Sequence, residues 1–302
     1  MGDDRGDRGD RGDRGDADAG GGAARQDVGG VEAVWRPPHV DGVEVVRGAG
    51  GPYSTPRHFH EEMEVGLTQG SGWEFYHRGA WQDVAPGILV LTSPGDVHMA
   101  RAPRGARVVY HGLRLDADLI QRAATDLAGR PQRVPDVATP LVQDRDAWRL
   151  FLRLVAALEE GVAASRLEQE SRLQDALEHL ILRHGAERLV GRPAGADPRA
   201  VRRARHYLEE HAEQGVALAE LARVAGLSAS HLSRAFSAAV GMPPHAYQTQ
   251  VRVVRAKALL VAGRLSLAQV AAEVGFANQS HLTYHFARLV GVTPGRYLRD
   301  SR

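Results

Sequence analysis

Three histidines and one glutamate lie at spacings that could place them in one site. His58, His60 and Glu64 form a His-x-His-x-x-x-Glu pattern. His98 follows 34 residues after Glu64, which is about the length of a pair of β-hairpins. Because side chains alternate between the two faces of a strand, this spacing directs His58, His60 and Glu64 toward one face. Three imidazoles and one carboxylate form a donor set for iron, manganese, nickel or zinc. The pattern predicts a site suited to a divalent metal.

The same four residues allow three interpretations. If they hold a redox metal with an open position, the domain could be an oxygenase-like metalloenzyme. If no metal is bound, they would line a pocket with Trp73 and hydrogen-bond a small-molecule effector. In the third interpretation, His58 and His98 satisfy buried polar partners. The arrangement resembles the two motifs of the cupin barrel, and the resemblance covers about residues 40–115.

The segments around these residues predict a β-rich domain followed by helices. Short apolar runs punctuated by Gly and Pro indicate strands over residues 43–46, 63–67, 73–76, 88–92 and 107–113. This rhythm is typical of a small β-barrel or sandwich. Its aromatic residues could line the cavity or form ordinary core, and they are Trp73, Phe75, Tyr76 and Trp81. After residue 116 the apolar period lengthens and predicts helices over 146–160 and 166–189. This helical pair would either pack on its own barrel or form a homodimer interface.

Composition limits the remaining possibilities. The chain has no cysteine, which excludes disulfides and thiolate metal sites. It has no run of eighteen apolar residues and its first residues lack the pattern of a secretory signal, so we expect a cytoplasmic protein without a membrane partner.

Residues 1–30 contain Arg-Gly-Asp four times in succession. Low complexity explains this repeat better than an adhesion motif does, and we expect a disordered tail. Residues 191–198 are rich in Pro and Gly and are predicted to be a linker.

Charge is divided unequally along the chain. Residues 197–302 contain 14 Arg or Lys and 7 Asp or Glu, whereas residues 1–196 contain 24 and 30. The basic C-terminal part suits a polyanionic partner, and the acidic N-terminal part does not.

The strongest pattern is an internal repeat in the C-terminal part. A segment recurs at an offset of 49 residues, which becomes 50 after one insertion. The first copy contains Leu218, Leu221, Ala222, Ala225, Gly226, Leu227, Leu232, Phe236, Val240, Gly241, Pro244 and Tyr247. The matching positions are Leu267, Val270, Ala271, Val274, Gly275, Phe276, Leu282, Phe286, Val290, Gly291, Pro294 and Tyr297. So many paired positions indicate a duplicated structural unit.

Each copy has the pattern of a helix-turn-helix. A short apolar helix ends at a glycine, Gly226 or Gly275, which can adopt the positive φ of a tight turn. Ser228 and Asn278 are suitable N-caps for the helix that follows. Residues 244–261 predict one long helix between the copies, with Tyr247, Val251, Val254 and Ala258 on a shared face. Such a connector could hold two recognition helices in successive major-groove turns of DNA, about 34 Å apart.

The second helix of each copy carries the candidate DNA contacts. If its apolar face points inward, the outward residues of the first copy are Ser230, Ser233, Arg234 and Ser237, with Ser228 at the cap. The matching residues of the second copy are Ser280, Thr283, Tyr284 and Ala287, with Asn278 and Gln279 at the helix start. Arg234 is the best single candidate for a base contact, because its planar guanidinium can pair with both acceptors of guanine. The alternative is a purely helical core with a positive surface.

Residues 198–300, above all residues 275–282 and 291–297, resemble the DNA-binding domain of the AraC/XylS family. Two positions depart from the family pattern. Leu282 stands where the family often has an aromatic residue, and Tyr284 where it often has arginine; these departures concern the base preferences of the second copy and not its fold. The resemblance implies a transcription regulator that binds double-stranded DNA and forms a homodimer.

The predicted fold class is two-domain α+β. A cupin-like effector-binding and dimerisation domain is expected over residues 31–190, and an all-α DNA-binding domain with two tandem helix-turn-helix units over residues 199–302. Two functions remain open. One is a non-enzymatic regulator in which a small-molecule effector changes promoter binding, and the other is a cupin metalloenzyme fused to a DNA-binding domain.

Overall fold

A computed structural model of the chain describes residues 31–50, 54–55, 57–103, 106, 108–135, 137, 139–185 and 198–300. The predicted tail over residues 1–30 and the predicted linker, apart from Pro198, lie outside these residues. The domain boundaries therefore stay predictions. None of the helices in the described ranges combines the length and apolar character needed to cross a bilayer.

Two antiparallel sheets form the N-terminal part. The larger sheet has the order β1-β2-β8-β3-β6-β9 and the smaller has the order β5-β4-β7. The strands are β1 (Val31–Trp35), β2 (Val43–Gly50), β3 (Met63–Gly70), β4 (Trp73–His77), β5 (Ala80–Val84), β6 (Leu89–Thr92), β7 (His98–Arg101), β8 (Val108–Leu115) and β9 (Leu141–Val142). All five predicted strands are present, and β1, β5, β7 and β9 are additional to the prediction.

Three helices cover one face of the larger sheet. They are α1 (Ala117–Ala128), α2 (Arg145–Glu159) and α3 (Arg166–His184), with a short 3-10 helix at Gly161–Ala163. An apolar core joins them to the sheet through residues such as Leu67, Leu113, Phe151 and Leu177. The predicted pair, α2 and α3, therefore packs on its own barrel. A second core, which contains Trp73, lies between the two sheets.

The C-terminal part contains two helical units. Its helices are α4 (Pro198–Glu210), α5 (Leu218–Ala225), α6 (Ala229–Val240), α7 (Pro244–Ala262), α8 (Leu267–Glu273), α9 (Gln279–Val290) and α10 (Pro294–Asp300). Helices α5 and α6 form the first helix-turn-helix, and α8 and α9 form the second. Gly226 and Gly275 have φ of +70° and +87°, as the turn prediction requires. Each unit has its own apolar core.

Helix α7 connects the units, as predicted, and the face that it buries most deeply is not the shared apolar face of the sequence pattern. Val254 and Ala258 are exposed, whereas Gln248, Arg252, Val253 and Ala256 are buried. Apolar periodicity missed this face because two of its residues are polar. Nε of Arg252 donates to the carbonyl of Ala212 at 2.6 Å, and Gln248 donates to the same carbonyl at 3.3 Å. These polar side chains fasten α7 to the turn between α4 and α5.

Candidate DNA interface and barrel site

The second recognition helix, α9, presents its candidate DNA contacts to solvent. The side chain of Asn278 caps the helix by accepting from the amide of His281 at 2.9 Å, as predicted. Asn278, Gln279, Ser280 and Tyr284 are exposed, and Thr283 is half-buried. Leu282 is fully buried in the core of the unit. The outward set predicted for this copy is therefore accessible.

The first recognition helix, α6, is covered by the N-terminal domain. Ser228 caps it through the amide of His231, at 3.3 Å, as predicted. The outward orientation predicted for Ser230 and Ser233 is wrong in this arrangement, because these residues are only 0% and 4% exposed. The cause is tertiary: α6 packs against α1 and α3, which the pattern of α6 itself cannot reveal. Ser237 is half-buried.

Carboxylates of the N-terminal domain contact the polar groups of α6. The amide of Ser230 donates to Oδ2 of Asp126 at 2.9 Å, and its hydroxyl donates to Oε2 of Glu178 at 3.0 Å. Nε of Arg234 lies 2.9 Å from Oε1 of the same glutamate. Two residues predicted to contact DNA, Ser230 and Arg234, are therefore held by acidic side chains.

Helix α3 carries most of this contact between the domains. Leu167 belongs to the apolar core of the first unit, and Glu170 accepts from the amide of Leu218 at 2.5 Å. Burial raises the pKa of Glu178 although Arg234 opposes the shift, and burial together with the charge of Glu178 raises the pKa of Asp175 to about 6. Sequence reasoning did not identify Asp126, Glu170 or Glu178. The acidic balance of the N-terminal half was a signal that could have pointed to them.

Three of the four predicted metal ligands come together in the barrel. The ligand atoms of His58, His60 and His98 all lie within 4.8 Å of one another. His58 and His98 face each other in an isolated antiparallel bridge, whose two backbone hydrogen bonds measure 3.0 and 2.9 Å. His58 and His60 are half-buried and His98 is buried. We call these three residues the barrel histidine group.

The orientation of His98 is fixed by a backbone contact. Its Nδ1 lies 2.9 Å from the carbonyl oxygen of Asp96, which can only accept, so Nδ1 is the donor. In the neutral ring, Nε2 then carries the lone pair. Burial lowers the pKa of His98 to about 4, although the Asp96 carbonyl opposes the shift. His98 is therefore a neutral imidazole at pH 7, with Nε2 available as an acceptor or ligand.

Glu64 lies beside the barrel histidine group and contacts it through His60. Its Oε2 lies 2.8 Å from Nε2 of His60, while Tyr110 donates to Oε1 and Arg114 donates to Oε2 at 3.3 Å. Burial alone would raise the pKa of Glu64, but His60, Tyr110 and Arg114 outweigh it and lower the pKa to about 2. The carboxylate is thus ionised and held by several partners.

The predicted aromatic lining is divided between core and surface. Trp73 is buried between the sheets, where its ring lies 5.5 Å from that of Tyr110, and Phe75 belongs to the same core. Trp81 is 39% exposed and stacks under Arg101 at 4.0 Å. Trp73 therefore supports the barrel, and its contact with an effector stays a prediction.

Two family models match the chain. The AraC-like ligand binding domain matches residues 42–177, and a helix-turn-helix domain matches residues 221–300. The chain is 37% identical over 92 residues to the probable transcriptional regulator LumQ of Photobacterium leiognathi, which covers 30% of this chain and 37% of LumQ. It is 32% identical over 94 residues to the virulence regulon transcriptional activator VirF of Yersinia enterocolitica, which covers 31% of this chain and 35% of VirF.

A solved structure also matches the C-terminal part. The C-terminal domain of AraT, a response regulator from Geobacillus stearothermophilus, is 30% identical, with a TM-score of 0.33, and the match covers 34% of this chain and 86% of that one. The chain spans about a third of the length of LumQ and VirF. With an AraC-like ligand-binding domain followed by a duplicated helix-turn-helix domain, the chain belongs to the AraC family.

Proposed function

We propose that this protein is a sequence-specific DNA-binding transcription regulator whose N-terminal domain responds to a small-molecule effector. The positive balance of the C-terminal part and the two capped recognition helices support DNA binding. LumQ and VirF are described as transcription regulators, which supports a regulatory rather than an enzymatic role.

The observation that carries the proposal is the different environment of the two recognition helices. The candidate contacts of α9 are exposed, whereas Ser230 and Arg234 of α6 are held by Asp126 and Glu178. We infer that this arrangement is a closed state, in which one helix can enter a major groove and the other cannot. An effector would open it by binding the closed and open states with different affinities.

In the open state both helices would contact base edges. The guanidinium of Arg234 suits the two acceptors of guanine, and the side chains of Asn278, Gln279 and Thr283 suit adenine or mixed contacts. The fastening of α7 to the turn at Ala212 supports a fixed distance between the units. Half-sites about one helical turn apart are therefore expected.

The effector site is proposed at the barrel histidine group, with Glu64 beside it. These residues also fit a divalent metal. The lone pair of His98 is directed by the Asp96 carbonyl, and Oε2 of Glu64 lies 2.8 Å from Nε2 of His60, which would leave Nδ1 of His60 for the ion. His58, His60 and His98 would hold the ion and Glu64 would orient His60, so the donor set is smaller than the four residues first predicted. A bound ion would supply a positive charge for an anionic effector group.

Selection of DNA by the full chain tests the proposed function. A random-sequence duplex library is incubated with the Glu178→Gln protein, and the enriched duplex is then used in fluorescence anisotropy. Arg234→Ala in the same background should weaken binding about 5- to 150-fold, which corresponds to about 1–3 kcal/mol. Arg130→Ala, which removes an exposed arginine of the N-terminal domain, is the matched control. If no sequence is enriched and no binding depends on salt, the proposal is wrong.

Metal analysis separates the sensor from the metalloenzyme. Metal content is measured in the wild-type and His60→Ala proteins, together with oxygen consumption. A stoichiometric metal that is lost with an oxygen-consuming turnover would favour the enzyme. DNA binding that persists without any turnover would support the regulator.

Homodimerisation stays a proposal, and light scattering of the full chain tests it.

A further inference from the structure

A second group of metal-ligand side chains lies where α2 begins and α3 ends. Nε2 of His179 and Nε2 of His184 each lie 2.9 Å from Oδ2 of Asp144. The ligand atoms of the three residues all lie within 4.8 Å of one another. The group is separate from the barrel histidine group and from the recognition helices, and no role described above uses it.

The carboxylate of Asp144 is held in a fixed orientation. Its Oδ1 caps helix α2 by accepting from the amides of Asp146 and Ala147, at 2.9 and 3.0 Å. Oδ2 is thereby directed at the two imidazoles. Ligands of bound metals are commonly oriented in this way by hydrogen bonds from a second layer of groups. The helix cap therefore prepares one oxygen of Asp144 as a ligand.

The distances suit a small divalent ion. Zn²⁺ binds histidine nitrogen at about 2.0–2.1 Å and carboxylate oxygen at about 2.0–2.2 Å, usually in tetrahedral geometry. Donor atoms in such a site lie about 3.3 Å apart. The observed nitrogen-to-oxygen distances of 2.9 Å would need to lengthen by a few tenths of an ångström, and the two histidine nitrogens, which lie within 4.8 Å of each other, would settle at about 3.3 Å. The side chains are 19–25% exposed, so water can reach the remaining coordination position.

We propose that Asp144, His179 and His184 bind a divalent transition-metal ion, for which Zn²⁺ is the best-fitting candidate. The ion joins the first turn of α2 to the last turn of α3. Gly185, the next residue, pairs with Val137 in an isolated bridge. The ion therefore fixes the end of the helix that carries Glu170 and Glu178 at the contact with the DNA-binding part. This proposal does not depend on the proposed function.

Zinc titration of the full chain tests the site. The test uses a His58→Ala/His98→Ala background, which removes the barrel histidine group, and competition with a chromogenic chelator. We expect one Zn²⁺ per chain, and we expect Co²⁺ to give the visible absorption of a tetrahedral site. Asp144→Asn and His184→Gln should each weaken Zn²⁺ binding at least about tenfold. Asn is also a good N-cap, so Asp144→Asn removes the ligand oxygen while α2 keeps its cap.

Controls distinguish this site from adventitious binding and from misfolding. His206→Gln changes an exposed surface histidine beside Glu210 and should leave Zn²⁺ affinity unchanged. Circular dichroism checks the fold of each variant. If the background protein does not fold, His184→Gln is compared with wild type, and the loss of one equivalent of Zn²⁺ is expected. Absence of Zn²⁺ binding, or binding that Asp144→Asn and His184→Gln do not change, would overturn the proposal and show a hydrogen-bonded cluster.

Discussion

Arg234 and Glu178 form an ion pair, 2.9 Å from Nε to Oε1, that joins the first recognition helix to the ligand-binding domain. The hydroxyl of Ser230 donates to the other oxygen of the same carboxylate. The guanidinium of Arg234 and the hydroxyl of Ser230 are hydrogen-bond donors that could otherwise bind acceptor atoms of DNA, and the carboxylate of Glu178 occupies both. In the proposed function, Glu178 therefore competes with DNA for α6.

Glu178→Gln should strengthen DNA binding in the absence of effector. The substitution removes the charge that attracts Arg234. Because burial of this carboxylate offsets part of the attraction, the pair is expected to stabilise the contact by at most about 1 kcal/mol. DNA affinity should rise by up to about 5-fold when α6 is released. Fluorescence anisotropy with the selected duplex measures the change. Asp118→Asn, an equal charge change at an exposed position of α1, is the control. Equal affinities of Glu178→Gln and wild type would contradict a closed state.

Gln279→Ala should weaken specific DNA binding without altering the contact between the domains. Gln279 is exposed at the start of α9, where it can contact a base in either state. A loss of about 1–3 kcal/mol is expected on the selected duplex, with little change on a scrambled duplex. The two duplexes are compared by anisotropy at one salt concentration. Gln82→Ala in the smaller sheet is the control, and an equal loss on both duplexes would mean that Gln279 does not contribute to sequence preference.

Asp175 should make stability depend on pH. Burial and the nearby charge of Glu178 raise its pKa to about 6, whereas an unfolded aspartate titrates near 4. The folded protein therefore binds this proton more tightly, and the stabilisation is complete below about pH 4 and lost as the pH rises through about 6. Asp175→Asn resembles the protonated form. It should raise the unfolding temperature at pH 7.5 and raise it less at pH 5.

Differential scanning fluorimetry at both pH values measures this effect. Asp118→Asn supplies the comparison, because the same chemical change at an exposed position should give no pH-dependent difference. The shift of about two pKa units corresponds to at most about 3 kcal/mol at neutral pH, and partial exposure of the side chain lowers that value. An unfolding temperature that Asp175→Asn leaves unchanged at pH 7.5 would show that the carboxylate is well solvated.

Two glycines with the same backbone conformation should respond differently to alanine. Gly275 and Gly291 have φ of +87° and +88°. A Cβ at Gly275 would lie closer than 3.0 Å to the backbone of Glu213, whereas a Cβ at Gly291 would meet nothing within 4 Å. Gly291→Ala should therefore cost only about 1 kcal/mol of stability from its positive φ. Gly275→Ala should cost several-fold more, because the backbone must move. Thermal unfolding compares the two, and similar losses would contradict the close approach at Glu213.

Local patterns predicted much of the fold and part of the site. The repeat identified both helix-turn-helix units, because Leu221 and Phe236, like their counterparts Val270 and Phe286, form buried faces at helical spacing. Strand β5 was missed because it is short and largely exposed, so its apolar alternation is weak. The buried face of α7 could not be found from apolar spacing, because Gln248 and Arg252 occupy it. The position of Ser230 depends on where α1 and α3 lie, which no property of α6 specifies.

In the barrel site, too, contacts from distant parts of the chain could not be predicted from local spacing. Spacing grouped His58, His60 and His98, because two lie at alternate positions and the third is their bridge partner. Spacing did not show that Glu64 is shared with Tyr110 and Arg114, which come from β8, about 50 residues later in the chain. Partners that arrive from another strand can be known only from the fold.

The bonds between Arg252, Gln248 and the turn at Ala212 have a consequence for promoters. Helix α7 is bonded to the first unit in this way and also packs into the core of the second unit through Val253 and Ala256. The two units should therefore keep a fixed orientation, and in the proposed function the protein and its operator must agree in helical phase. One inserted base pair turns a half-site by about 35° around the DNA axis. In the proposed function, target promoters should therefore tolerate changes in base sequence between the half-sites far better than changes in their spacing.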